Sequence, residues 1–489
     1  MARKQKKVTI SFFVDKAKQR VALAEADSDF IDILFSFLTL PLGTIVRLLN
    51  KQSNIGCMDK LYGSVENLDV HNFQTEACKT MLLFPQSAAA VRCEDLKVNI
   101  DSRESNPRTI YVCRKAGCCA KATCLGSSVL NARCPHCRET MDSRRTRAKG
   151  NVDAGKLFVK SGDKFMITDD LRITPFSMEH YLSFIRKLGK EDECTLEEKV
   201  MDLGRDEILT LLRRLLVSSS PLTDLFFKNV GVTNDASQGI DIKNMIRVKR
   251  ESNTEAESKE THINLFLNKS TKKVSFVEVE EDYVNFIFSF LTLPLGALIK
   301  LQNNKSFLGC VDNLYRSATK VSSDKFKSEE CRDILLSPKL ASFFGYTGNM
   351  LKVDEIAPPK GFCRGCYSCF WNNNDIDCEA SECVHGVKRA DFRMLNPKSP
   401  EGRTETGGGY AKGKFLVTTD LCVSQLSASS SLQTVKSQDL SFSDLEMKRA
   451  VFGEMQALDL LRSAVTSKTP IDDVLNIFRK AKVEYEFGC

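Results

Sequence analysis

The sequence is poor in the residues that most hydrolytic chemistry needs. It has five histidines in 489 residues, with no H-E-x-x-H and no G-x-S-x-G pattern. A helical zinc protease site and a serine nucleophile elbow therefore have no residues to be built from. His71, His180 and His262 stand alone, which suits local hydrogen bonding better than proton transfer. Long apolar runs are also missing. The longest uncharged stretch around the first apolar segment, Ile33 to Val46, is fourteen residues and contains Pro41 and Gly43, whereas a membrane span needs about twenty apolar residues. Charge of one sign is not in excess either: 70 Lys and Arg against 63 Asp and Glu give +7, which permits an acidic partner without requiring one.

Two motifs resemble catalytic ones and fail on context. GGYAKGKF, Gly408 to Phe415, has the spacing of a phosphate-binding loop. Phe415 stands where a magnesium-binding Ser or Thr is required, and a strand-like KFLVTTDL follows where a helix should begin. Asp169 and Asp170 form a carboxylate pair, but the matching stretch later in the chain has Thr419 and Asp420, which favours turn or capping duty over acid/base work. No coherent catalytic set emerges, so the expectation is a protein that is not an enzyme.

What the sequence does have is repetition. SFLTLPLG occurs at Ser36 to Gly43 and again at Ser289 to Gly296. With one constant shift, Val8 to Pro85 lies over Thr261 to Pro338 without a gap, and GCMDKLYGS falls on GCVDNLYRS. The match resumes as KFMITDDL over KFLVTTDL. The reading is a tandem duplication of one α+β unit: residues 1–235, a polar linker at 236–258, and residues 259–489. Each unit opens with apolar alternation around a polar turn, as at Ile10, Phe12, Val14 and then Val21, Leu23, which predicts a hairpin. SDFIDILFSFL is apolar on nearly every side, as a buried helix would be. TLPLG should end it, because Pro41 has no donor to continue the helix and Gly43 eases the turn into a second helix, TIVRLLNKQ. The middle of the unit reads as strands, from VRCEDLKVNID through RTIYVC to GKLFVKSGDKFMITDDL. One long amphipathic helix over EEKVMDLGRDEILTLLRRLLVS, matched by LEMKRAVFGEMQALDLLRSAV, should follow.

Eleven of the nineteen cysteines fall in two windows, which act as inserts at 111–141 and 361–394. The N-terminal MARKQKKVTISFFVDK does not read as a secretory signal, so reduced thiols inside the cell, in cytoplasm and/or nucleus, are expected, and clustered reduced thiols favour metal over disulfide. In the first window Cys134-Pro135-His136-Cys137 has the spacing that holds one zinc ion at a tight turn. Cys113 with Cys118 (or Cys119) completes a tetrahedral set in a zinc-ribbon-like insert. In the second window Cys363, Cys369, Cys378 and Cys383 are the candidate ligands, with Cys366 and His385 as alternatives. Here CPHC has become CVHG, so Gly386 replaces the last thiolate. A thiolate-rich set suits a structural ion rather than a catalytic one. Cys57, Cys78, Cys310 and Cys331 read instead as small buried apolar residues.

The basic run Arg144, Arg145, Arg147, Lys149 could reach phosphates, which keeps nucleic acid open as a partner. The duplicated SFLTLPLG, the GCMDKLYGS and FQTEACKTMLL segments and the CPHC cluster together resemble the plant domain-of-unknown-function 674 family over nearly the whole length. That resemblance implies a land-plant protein of two related halves and carries over no activity, cofactor or catalytic residue. The functional expectation is an intracellular interaction or scaffold protein, braced by structural zinc, with a protein partner and no membrane.

Overall fold

A computed structural model describes residues 6–101, 107–115, 123–146, 157–188, 196–227, 261–359, 361–364 and 389–475. The first half begins with a hairpin of β1 (Val8–Asp15) and β2 (Arg20–Asp27), closed by Asp15 accepting from Lys18 N at 2.9 Å. Four helices follow: α1 (Ser28–Ser36), α2 (Leu42–Leu48), α3 (Met58–Asn67) and α4 (Glu76–Leu83). Then come β3 (Thr109–Val112), β4 (Thr123–Ser127), β5 (Ser143–Thr146), β6 (Lys164–Thr168) and β7 (Ile173–Pro175). The half closes with α5 (Met178–Leu188), β8 (Leu196–Leu203), α6 (Arg205–Val217) and α7 (Pro221–Phe226).

The second half repeats this order. It runs β9 (Thr261–Asn268), β10 (Val274–Glu280), α8 (Glu281–Thr292), α9 (Leu295–Leu301), α10 (Val311–Lys320) and α11 (Glu329–Leu336). After β11 (Gly361–Arg364) and β12 (Arg389–Met394) come β13 (Lys414–Thr418) and β14 (Val423–Gln425). Next come α12 (Ala428–Ser437), β15 (Leu445–Phe452) and α13 (Glu454–Thr466), and residues 470–475 are again helical. The architecture is mixed α+β. Two antiparallel five-stranded sheets have equivalent orders, β7-β6-β2-β1-β8 and β14-β13-β10-β9-β15. Their inner faces, with Val8, Ile10, Phe12 on one and Ile263, Leu265, Leu267 on the other, join the helices in one continuous apolar core.

The cross-half contacts come in reciprocal pairs. Cys57 N donates to Ala464 O at 2.8 Å and Cys310 N to Leu215 O at 2.9 Å. Val423 N donates to the Ser64 hydroxyl and Ile173 N to the Ser317 hydroxyl, both at 2.9 Å. Gln74 N meets Tyr410 O as Lys327 N meets Phe158 O. The two SFLTLPLG copies meet each other. Pro41 bridges Pro294, Leu42 N donates to Leu293 O at 3.0 Å, and Leu295 N donates to Leu40 O at 2.9 Å. The octapeptide is thus a corner in its own half, as the sequence predicts, and also the point where the halves touch. Its hydroxyls are buried without penalty because each turns back on its own helix: Ser36 to Ile33 O, Thr39 to Ser36 O, and likewise Ser289 and Thr292. A Cβ on Gly43 would lie 2.9 Å from Leu291 O, and one on Gly296 would lie 3.1 Å from Leu38 O, so each helix start has room only for glycine against the other copy.

Two sequence expectations need correction. The long helix is two elements: Leu196–Leu203 is a strand on β1, and the helix begins at Arg205 after Gly204, which is extended at φ −95°, ψ −166°. The second half does the same at Gly453. LEEKVMDL is rich in helix formers, but an edge strand is half solvated, and pairing along the whole of β1 outweighs a weak local preference. VRCEDLKVNID is likewise no strand but turns around a short 3-10 segment, Arg92–Asp95. The strand after GGYAKGKF is present as β13, and Tyr410 N and Ala411 N are bound by the Asn285 side chain.

Candidate metal centre

A third sheet, β11-β12-β4-β3-β5, is assembled from both cysteine windows. β12 of the second half pairs in parallel with β4 of the first, Phe392 opposite Cys124. Apolar residues behind it, Val112, Val129, Ala132 and Met141, are buried in the core and fix its position.

Cys113 follows directly on β3. The CPHC turn is a tight hairpin: Cys134 N donates to Glu139 O at 2.9 Å, Arg138 N to Cys134 O at 2.8 Å, and Met141 N to Ala132 O at 2.8 Å. Arg138 takes the left-handed conformation, φ 64°, that the tight return requires. This hairpin brings the Sγ atoms of Cys113, Cys134 and Cys137 within 4.8 Å of one another. The Cys113 and Cys137 sulfurs are 3.4 Å apart. Two sulfurs of a tetrahedral zinc ion with Zn–S bonds of about 2.3 Å would be about 3.8 Å apart, so a small adjustment admits the ion. Lys115 N points at the Cys113 sulfur at 3.4 Å, a backbone donor placed to favour a thiolate. Cys113 and Cys134 are buried and Cys137 is half-buried, which suits an ion that braces and is screened from water.

The hairpin is seated on the other half. Arg138 donates to Pro400 O at 3.0 Å, and a Cβ on Gly402 (φ 77°) would lie 2.3 Å from Pro135 Cβ. The stretch 397–403, which aligns with the basic run of the first half, is thus the support for the knuckle.

Three of the four expected first-window ligands are brought together. Cys118 lies outside the described residues, as do Cys369, Cys378 and Cys383; Cys363 is placed on β11 by its backbone, opposite Ala390. The lone thiols are buried as expected, and burial pushes Cys57 and Cys310 up to about 12, which keeps them protonated. Asp169 caps the last helix of its half, accepting from Thr223 N at 2.9 Å and its hydroxyl at 2.7 Å. Arg144 is exposed on β5, at the edge of the third sheet, and Arg147 and Lys149 are outside the described residues. Among the described residues no helix is long and apolar enough to cross a membrane. Sequence reasoning did not foresee that the windows would share a sheet, because a parallel pairing between strands so far apart leaves no local signal.

Fold and site together define a mixed α+β protein with a thiol-rich centre at the joint of its halves. Residues 4–455 match the family described as Protein of unknown function (DUF674), and the chain belongs to that family. Comparison with curated proteins and with solved structures gives no match.

Proposed function

We propose that the protein is a non-enzymatic interaction scaffold inside the cell, made by tandem duplication of one unit, with a structural zinc ion bracing its zinc-ribbon-like insert. The observation that carries this reading is the convergence of the Cys113, Cys134 and Cys137 sulfurs within 4.8 Å of one another. The ion ties the CPHC hairpin to β3, whose four residues are too few to hold a fold alone. The reciprocal cross-half bonds support the duplication. A protein partner is supported by exposed apolar side chains along the outer edge of the second sheet, Phe442, Met447 and Val451. The test is metal analysis of protein purified with reductant and without added metal. Zinc should be present in stoichiometric amount, Cys134→Ser and Cys137→Ser should lose it, and native complexes should contain protein partners. Metal-free protein that keeps its third sheet would overturn the reading.

A nucleic-acid-binding zinc ribbon is the second reading, favoured by Arg144, exposed on the edge strand β5 of the sheet that carries Cys113, and by Arg114, exposed next to Cys113 and paired with Asp142 at 2.9 Å. It requires salt-sensitive binding that weakens when Arg144, Arg145 and Arg147 are neutralised together.

A further inference from the structure

Beside the SFLTLPLG corner of the first half lies a cavity of about 190 Å³, walled by Thr39 and Pro41 from the corner, Ala90, Val91 and Cys93 from the segment after α4, and Ile110 from β3. Ala341, Ser342 and Ile356 of the second half complete it.

The second half shows what a closed version of this corner looks like. Continuing the alignment past Pro85 and Pro338 sets Ser87 on Leu340, and those two residues bridge each other. Ala90, Val91 and Cys93 then correspond to Phe343, Phe344 and Tyr346, of which the first two are fully buried and the third nearly so. Tyr410 adds its hydroxyl, donated to Phe344 O at 2.6 Å, where the first half has Phe158. Three aromatic side chains and a phenol hydroxyl fill one corner, and small side chains leave the other hollow. The hollow opens to solvent, its wall residues Ala90, Val91 and Cys93 being half-buried, so a ligand can enter it.

The wall specifies the occupant. An apolar cavity of about 150 Å³ accepts benzene, so this one takes a single ring or a small fused pair. The hydroxyl hydrogens of Ser36 and Thr39 go to backbone carbonyls and leave their oxygens as acceptors, one Gln86 amide hydrogen goes to Ser128 O at 2.7 Å, and the Ser87, Thr109, Tyr111 and Ser128 hydroxyls also line the wall. Among the described residues, Asp101, paired with Arg47 at 2.6 Å, is the sole charged side chain of the wall. Among the described residues an anion would meet no unpaired cation, and the one carboxylate is already satisfied by Arg47.

We infer that this cavity is a binding site for a neutral ring compound of about the size of phenol or indole, carrying one hydrogen-bond donor. The site is distinct from the thiol centre but shares β3 with it, Ile110 lining the cavity and Cys113 following the strand.

Titration with indole, phenol and benzoate tests the assignment, read by calorimetry and by intermolecular NOEs. Indole or phenol should bind saturably, with NOEs to the Ala90 and Val91 methyl groups, and benzoate should bind at least about tenfold more weakly, a difference of about 1.4 kcal/mol. Ala90→Phe, which installs the second-half residue, should weaken indole binding by about tenfold or more while keeping the melting temperature at or above that of the parent. If Ala90→Phe does not fold, Ala90→Leu serves with the same expectation. Failure of both indole and phenol to bind at millimolar concentration, NOEs located elsewhere, or an Ala-to-large variant that binds as the parent does would each overturn the assignment.

Discussion

Asp32 in the first half and Asn285 in the second occupy the same place and do the same thing. The Asp32 carboxyl accepts from Phe158 N and Val159 N, both at 2.9 Å; the Asn285 amide oxygen accepts from Tyr410 N and Ala411 N at 2.7 and 2.8 Å. Each holds the segment that leads into the strand next to the edge of its sheet, β6 or β13. What the pair teaches is that the position requires an acceptor and not a charge. Burial pushes the Asp32 carboxyl up to about 7, more than its two backbone donors and Lys327 pull it down. An acid in a pocket would draw attention as a candidate base, but its neutral counterpart identifies it as a structural anchor.

The largest effect should come from the reciprocal docking itself. Gly56 (φ 41°) and Gly309 (φ 40°) each receive the other half's long helix, and a Cβ would lie 2.2 Å from Ala464 O or 2.3 Å from Leu215 O. Gly56→Ala and Gly309→Ala should each cost about 3 kcal/mol or more, measured by denaturant unfolding. A cost at one site only would show that the two joints are not equivalent.

Exchanging the anchors comes next. Because the folded-state acid is weaker than its unfolded counterpart, the native protein holds more protons between the two values, so stability contributed at Asp32 is full below about pH 4 and declines as pH rises to about 7. Asp32→Asn should remove that decline, gaining on the order of 4 kcal/mol over the parent at pH 8 and little at pH 4. Asn285→Asp should introduce the same decline in the second half. Parallel pH profiles for parent and Asp32→Asn would mean that Asp32 is not buried as described.

Smaller still, Ser64→Ala and Ser317→Ala each strip the acceptor from a buried amide, Val423 N or Ile173 N, and should cost about 1 to 3 kcal/mol apiece. Equal losses would sharpen the correspondence between halves. Chelation should act in a different region, loosening the amides of β3, β4 and β5 in hydrogen exchange before those of the two antiparallel sheets, since the cluster of Cys113, Cys134 and Cys137 sits at the third sheet.

The hairpin of β1 and β2, the buried α1, the corner at Pro41 and the CPHC turn are all legible in the chain, because alternation, a missing donor at proline and C-x-x-C spacing act over a few residues. Leu196–Leu203 is not legible, since its composition favours helix and its strand state comes from β1, far away in sequence. The thiol site is legible as a set of residue types; its position on the other half's Pro400 and Gly402 is not.

The sequence by itself determined the repeated order of elements, the identity of the buried helices and the residues able to grip an ion, since each depends on the shape and polarity of near neighbours. Only the tertiary structure decided that the two SFLTLPLG corners would meet each other, that the cysteine windows would share one sheet, and that one corner would be filled and the other hollow. Those outcomes depend on how surfaces more than two hundred residues apart fit together, and no local pattern of side chains records that fit.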